Sequence, residues 1–315
     1  MSPTTVTTFT AQATAPQFTQ ANGLRICWDS VGDPQAEAVL LLPGLGTQLL
    51  RWSPSFCQRL VEQGFRVLRM DLRDAGLSSH LHDAGVPVFA ELAAALAAGQ
   101  RPQVPYTLHD MVADVTGLLD ALQLERVHLV GRSMGGMLAQ LLAGSQPLAG
   151  SQPQRVRSLC TIMSSSGNPR LPQADPEVMG LMMRPGPRPE QGEEAYLDHA
   201  MVFAQRIASP AYFDAQAQRA LLRAELQRAY NPAGTARQVA AIAATGDLHP
   251  WLAQITAPTL VVHGTEDVLI PPACGRDSAE AIAGAEWLLL PGMGHDLPAA
   301  LEAQIADAIT RNARR

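Results

Sequence analysis

The sequence predicts an α/β fold in which a mostly parallel sheet is covered by helices on both faces. Three observations point there. Six short apolar runs recur along the chain, "AVLLLPG", "FRVLRMD", "RVHLVG", "VRSLCTIM", "PTLVVHG" and "AEWLLLPG". They are continuous rather than alternating, the pattern of strands buried on both faces. The segments between them carry apolar residues at three- and four-residue spacing, so helices join the strands as right-handed crossovers. With 315 residues, 47% of them apolar and 17% charged, the chain can bury one large core.

Taken in order, "MSPTTVTTFTAQATAPQ" has neither a basic start nor a continuous apolar stretch. Residues 1–20 are therefore expected as a loose tail on a cytoplasmic protein rather than a secretory signal. "FTQANGLRICWDS" reads as a hairpin around Asn22-Gly23, a strong two-residue turn signal. With the hairpin's two strands, the six apolar runs make an eight-stranded sheet. Helices are expected at Pro54–Gln63, Leu108–Leu122, Met134–Ala143, Cys274–Ala283 and Pro298–Ala313. The core then comprises 21–163 and 238–315, with an Ala-rich insertion at 80–105. Residues 164–237 form a second insertion, first rich in Pro and Met and then helical through "DAQAQRALLRAELQRAY". Its place between two strands makes it a helical cap over the sheet's C-terminal edge, where open parallel sheets bind ligands. Met179, Met182, Met183, Met201, Phe203 and Phe213 are read as the cap's own packing, some of them lining an apolar pocket.

Several function classes are set aside by composition. The formal charge of −6 with no basic cluster argues against a nucleic-acid partner. No apolar run approaches the ~20 residues that span a membrane, so none is expected as a partner. The four cysteines lack a C-x-x-C spacing, which argues against a disulfide framework or a zinc site. The chain has no lysine, which excludes lysine Schiff-base chemistry.

"RVHLVGRSMGG" places Ser133 between a strand and a helix. A serine on such a strained turn needs small residues two before and two after it, and Gly131 and Gly135 stand there. A helix N-terminus surrounds it with unpaired N–H groups that favour developing negative charge. A phosphate loop is the rival reading, but "GRSMGG" matches neither G-x-G-x-x-G nor G-x-x-x-x-G-K-[ST]. A serine nucleophile requires a base and a group to orient it. His295 follows the last apolar run in a Gly-rich loop, and Asp267 lies just past the end of the run before it, with Glu266 as the adjacent rival. His80, His82 and Asp83 could form half of a metal site but lack a complementary set, so no metal is expected.

The order Ser133, Asp267, His295 resembles that of the α/β-hydrolase superfamily, and the resemblance covers roughly residues 24–311. "MDLRDAGLSS" is similar to the family's D-x-R-G-x-G-x-S stretch, with Asp74 where a glycine is usual. "RDAGLSS", "GRSMGGMLAQ" and "IMSSSGNPRLP" look most like the branch of bacterial esterases that includes aclacinomycin methylesterase. The resemblance implies an oxyanion hole from the backbone N–H groups of Met134 and of Leu45, in "LLPGLGTQ". Pro43-Gly44 stands there in place of the more usual His-Gly. It implies, further, a serine carboxylic-ester hydrolase for small or medium esters, working without a cofactor as a monomer or homodimer. C–C bond hydrolysis, lactone opening or perhydrolysis on the same triad remain alternatives, as does a receptor of low turnover.

Overall fold

The computed structural model describes residues 13–145 and 155–315. Strands β1 (Gln17–Ala21) and β2 (Leu24–Val31) form an antiparallel hairpin whose turn residues, Asn22 and Gly23, sit at φ 49° and 76°. Both central positions need a left-handed backbone, which the Asn-Gly pair supplies. Pairing of Gln17 with Trp28 draws residues 17–20 into the sheet, so the tail expected over 1–20 stops short of them; residues 1–12 lie outside the described residues.

The chain then alternates. Strand β3 (Ala38–Leu42), helix α1 (Pro54–Glu62), strand β4 (Arg66–Met70), helices α2 (Phe89–Ala97) and α3 (Leu108–Ala121), strand β5 (Val127–Arg132) and helix α4 (Met134–Gly144) lead to strand β6 (Val156–Ile162). Helices α5 (Pro176–Met183), α6 (Glu193–Ile207), α7 (Ala215–Arg228), α8 (Pro232–Thr245) and α9 (His249–Leu252) follow before β7 (Thr259–Gly264), α10 (Pro272–Ala281), β8 (Glu286–Leu290) and α11 (Glu302–Ala313). Local chemistry sets the helix starts. Ser53 accepts from Phe56 N ahead of Pro54 at the first turn of α1, and Thr107 N donates to Asp110 Oδ2 at 2.7 Å ahead of α3.

The eight strands run β1-β2-β4-β3-β5-β6-β7-β8, parallel from β4 onward and antiparallel at the β1–β2–β4 edge. Successive side chains on a strand point to opposite faces, so each apolar run feeds two cores. Leu40, Leu42, Leu129 and Leu159 pack with α3 and α4, whereas Val39, Leu41, Val130 and Ile162 pack with α1 and α11. The chain leaves β3 toward β4 on one side and returns to β5 on the other. The C-terminal ends of β3 and β5 therefore flank the switch point, the place where open sheets of this kind bind ligands.

The helices between β6 and β7 continue past residue 237 through α8 and α9, beyond the boundary expected for the cap. Met182, Met201, Phe203 and Phe213 are half-buried there and Met179 is exposed, while the Met183 side chain lies outside what is described. Ion pairs join these helices to one another and to the core. Arg219 and Arg223 of α7 reach Glu194 and Glu193 of α6, and Arg51 grips Glu225 of α7 with two hydrogen bonds.

Asp74, in the loop after β4, has φ 66° and is sealed against Arg237 of α8, whose Nη2 and Nε donate to it at 2.6 and 2.7 Å. Burial alone would raise its pKa, but hydrogen bonds from Arg237, Leu81 N and Tyr106 outweigh that and hold the carboxyl below its ordinary range. A group lowered in this way contributes stability in full above about pH 4 and loses it as pH falls further. Arg237→Met, which strands the buried carboxylate, is expected to cost about 3–5 kcal/mol at pH 7. Burial should push the unpaired Asp74 upward, so this deficit narrows between pH 7 and pH 4. Urea unfolding of both proteins across that range measures it.

Candidate active site

Ser133 occupies the turn between β5 and α4 with φ 52° and ψ −125°, a conformation costly for any residue with a Cβ. The turn is so tight that a Cβ on Gly131 would come within 2.2 Å of Gly135 O, and one on Gly135 within 2.3 Å of Leu42 O. Both glycines are therefore required by close backbone approach. The α4 N-terminus begins at Met134, directly beyond the serine, so its N–H groups and dipole face the hydroxyl.

His295 reaches Ser133 across the sheet edge, with its Nε2 3.1 Å from Ser133 Oγ. Its Nδ1 lies 2.8 Å from Asp267 Oδ2. The other oxygen of Asp267 accepts from Leu269 N at 3.0 Å and Ile270 N at 2.8 Å, which fixes the carboxylate plane. Burial pushes Asp267 upward, but His295 and His263 outweigh it and leave the carboxyl below the ordinary range. Asp267 is thus an anion near neutral pH, suited to hold the imidazole with its proton on Nδ1 and its Nε2 lone pair toward the serine. Glu266 is exposed, and among the described residues its carboxylate takes a 3.4 Å contact from Thr265 Oγ1 and none from His295.

Gly44, in the loop after β3, lies against the serine: a Cβ there would sit 3.2 Å from Ser133 Cβ. Among the described residues, neither Leu45 N nor Met134 N has a protein acceptor. Ser133, His295 and Asp267 thus form one hydrogen-bonded chain beside the β3 loop, at the switch between β3 and β5.

Several neighbours carry no periodic or motif signal in the sequence. His263 Nε2 donates to Ile270 O at 2.8 Å and lies 3.3 Å from Asp267 Oδ2, behind the carboxylate. Ser209 at the end of α6 donates to Asp296 and accepts from Gly294 N, while His295 N donates to Ile207 O at 2.7 Å. These bonds clamp the histidine loop to the inserted helices. Arg132, just before the serine, is almost sealed over the Trp52 ring, and desolvation lowers it to about 10. "GRS" is the one hint of that buried cation in the sequence.

Other candidates stand apart. His80 Nε2 bonds to Gly76 O, His82 and Asp83 are exposed, and no group of three or more His, Cys, Asp or Glu suited to a metal occurs among the described residues. All four cysteines are buried, and burial pushes the Cys57 thiol up to about 12, out of the range of a thiolate nucleophile. No described helix is long and apolar enough to cross a membrane.

This chain belongs to the α/β-hydrolase fold family, whose model matches residues 37–298. Within it, the chain resembles the methylesterase branch: it is 27% identical to rhodomycin D methylesterase DauP of Streptomyces sp. strain C5, covering 91% of this chain and 94% of that one. RutD of Variovorax paradoxus, provisionally named a carbamate hydrolase, is 32% identical over 84% of this chain and 86% of its own. The enol-lactonase of Burkholderia xenovorans LB400 superposes with a TM-score of 0.66 at 25% identity, over 95% and 98% of the two chains.

A fluorophosphonate labels a serine only as fast as a base activates it. Asp267→Asn is expected to slow labelling of Ser133 by about 10³- to 10⁴-fold, and Glu266→Gln to change it less than about twofold. Stopped labelling time courses distinguish the two carboxylates.

Proposed function

We propose that this hydrolase is a serine carboxylic-ester hydrolase acting on small or medium esters through an acyl-enzyme. The observation that carries the reading is the relay from Ser133 Oγ to His295 Nε2 at 3.1 Å and from His295 Nδ1 to Asp267 at 2.8 Å. In the first step His295 Nε2 takes the hydroxyl proton as Ser133 Oγ bonds to the ester carbonyl carbon. The N–H groups of Leu45 and Met134 hold the resulting oxyanion, each donor being worth about 10²- to 10³-fold in rate. Collapse breaks the bond to the alcohol oxygen, which leaves with the proton from His295. Water, giving its proton to the same nitrogen, then attacks the acyl-enzyme, and the acid departs as Ser133 recovers its hydrogen.

Asp267 remains ionised throughout and stabilises the imidazolium that forms twice per turnover. The methylesterase relative supports an ester, since it matches this chain nearly end to end. A lactone is an internal ester and needs no other machinery, and the lactonase neighbour favours it as a second substrate class.

Ser133→Ala is expected to lower turnover of p-nitrophenyl butyrate by at least about 10³-fold without loss of folding. A panel of p-nitrophenyl esters, lactones, carbamates and vinylogous diketones, each followed to product, tests the bond cleaved. Dominant cleavage of a carbamate or a diketone would overturn the ester reading.

A further inference from the structure

The loop bearing Leu45 is held by a residue nearly two hundred positions away. A peptide unit carries its N–H and C=O on opposite sides, so fixing one fixes the other. Gly44 O accepts from Thr47 N at 3.3 Å and Thr47 Oγ1 at 2.9 Å, which turns the Leu45 N–H of the same peptide the opposite way. The next peptide ends at Gly46, whose φ of 64° leaves it free to flip, because glycine tolerates either orientation. Its N–H is captured by Gln238 Oε1 at 2.8 Å.

Gln238 is itself fully buried on α8, and its Nε2 donates to Arg73 O at 2.8 Å. The amide has one workable orientation, because turning it over would set NH₂ against the Gly46 N–H and oxygen against the Arg73 carbonyl. Arg237 locks the helix beneath it through the sealed pair with Asp74. Arg237 and Gln238, adjacent on α8, thus hold Asp74 and the Leu45–Gly46 peptide respectively.

We propose that Gln238 is a positioning residue for the oxyanion hole: by holding the Gly46 N–H it fixes the peptide beside Leu45 and so aims the Leu45 N–H at the developing oxyanion. A purely structural glutamine would affect folding and substrate binding alike. A positioning residue acts where charge develops, on kcat and on binding of tetrahedral mimics.

The inference rests on the ester-hydrolase reading and is tested with p-nitrophenyl butyrate and phenylboronic acid, using enzyme titrated for reactive serine. Gln238→Met, similar in size but without the acceptor, is expected to lower kcat by at least about tenfold. KM should stay within about twofold, and phenylboronic acid affinity should fall in parallel with kcat. Gln238→Glu, kept protonated by burial, accepts from the Gly46 N–H and donates its O–H to Arg73 O, and is expected to retain kcat within about threefold of wild type. Unchanged kcat in Gln238→Met, or equal losses in kcat and in substrate binding, overturns the role. If Gln238→Met does not fold, Gln238→Glu decides: a tenfold or greater loss of kcat in folded protein overturns it, and retained kcat supports it. Wild-type enzyme inert to every ester would instead sink the ester reading itself.

Discussion

The site depends on one backbone constraint: a serine held at φ 52° between a strand and a helix. That conformation lifts Ser133 out of the sheet, but it folds Gly131, Gly135 and the Leu42–Pro43 backbone into contact closer than any Cβ allows. The strain persists because β5 is buried between β3 and β6 and α4 is buried along its whole length, so neither can relax. The same turn brings the β3 loop against the serine and aims a helix N-terminus at it. The serine, the β3 loop beside it and the helix dipole are therefore arranged by a single tight turn.

Around that turn, charge is arranged by burial and compensation. Asp267, Asp74 and Asp71 are all removed from water, and each meets cations or N–H donors: His295 and His263, Arg237, and Arg228 with Leu49 N. Among the described residues Arg132 has no carboxylate in ion-pair contact; its Nη1 donates to Arg51 O at 3.3 Å, and desolvation depresses it more than the charges of Asp296 and Glu225 raise it. A cation so placed favours negative charge near the elbow, in the same sense as the helix dipole.

The strands are legible in the sequence because burial on both faces leaves continuous apolar runs, and all six runs are strands of the sheet. The Asn22-Gly23 turn and the starts of α1 and α3 are legible for another reason, since their chemistry is local. Ser133, Asp267 and His295 can be named because each stands at a strand end in a motif with a fixed order. Gln238, Ser209 and His263 cannot. Gln238 meets Gly46 through a hydrogen bond spanning 192 positions, and such a bond imposes no period and no neighbouring residue type. The inner edge of the tail is misplaced by composition because the pairing of Gln17 with Trp28 depends on a partner strand.

The inserted helices lend the core a side chain for its β3 loop, a clamp for its histidine loop and a counter-ion for Asp74. They are consequently not an exchangeable module. A chimera that kept this core and took helices without Gln238, Ser209 and Arg237 would lose all three attachments at once, however well its apolar surfaces matched. The inserted helices and the core loops of this chain are therefore coupled, and a boundary for recombining segments that keeps these attachments lies beyond α8 rather than at the last strand before the helices.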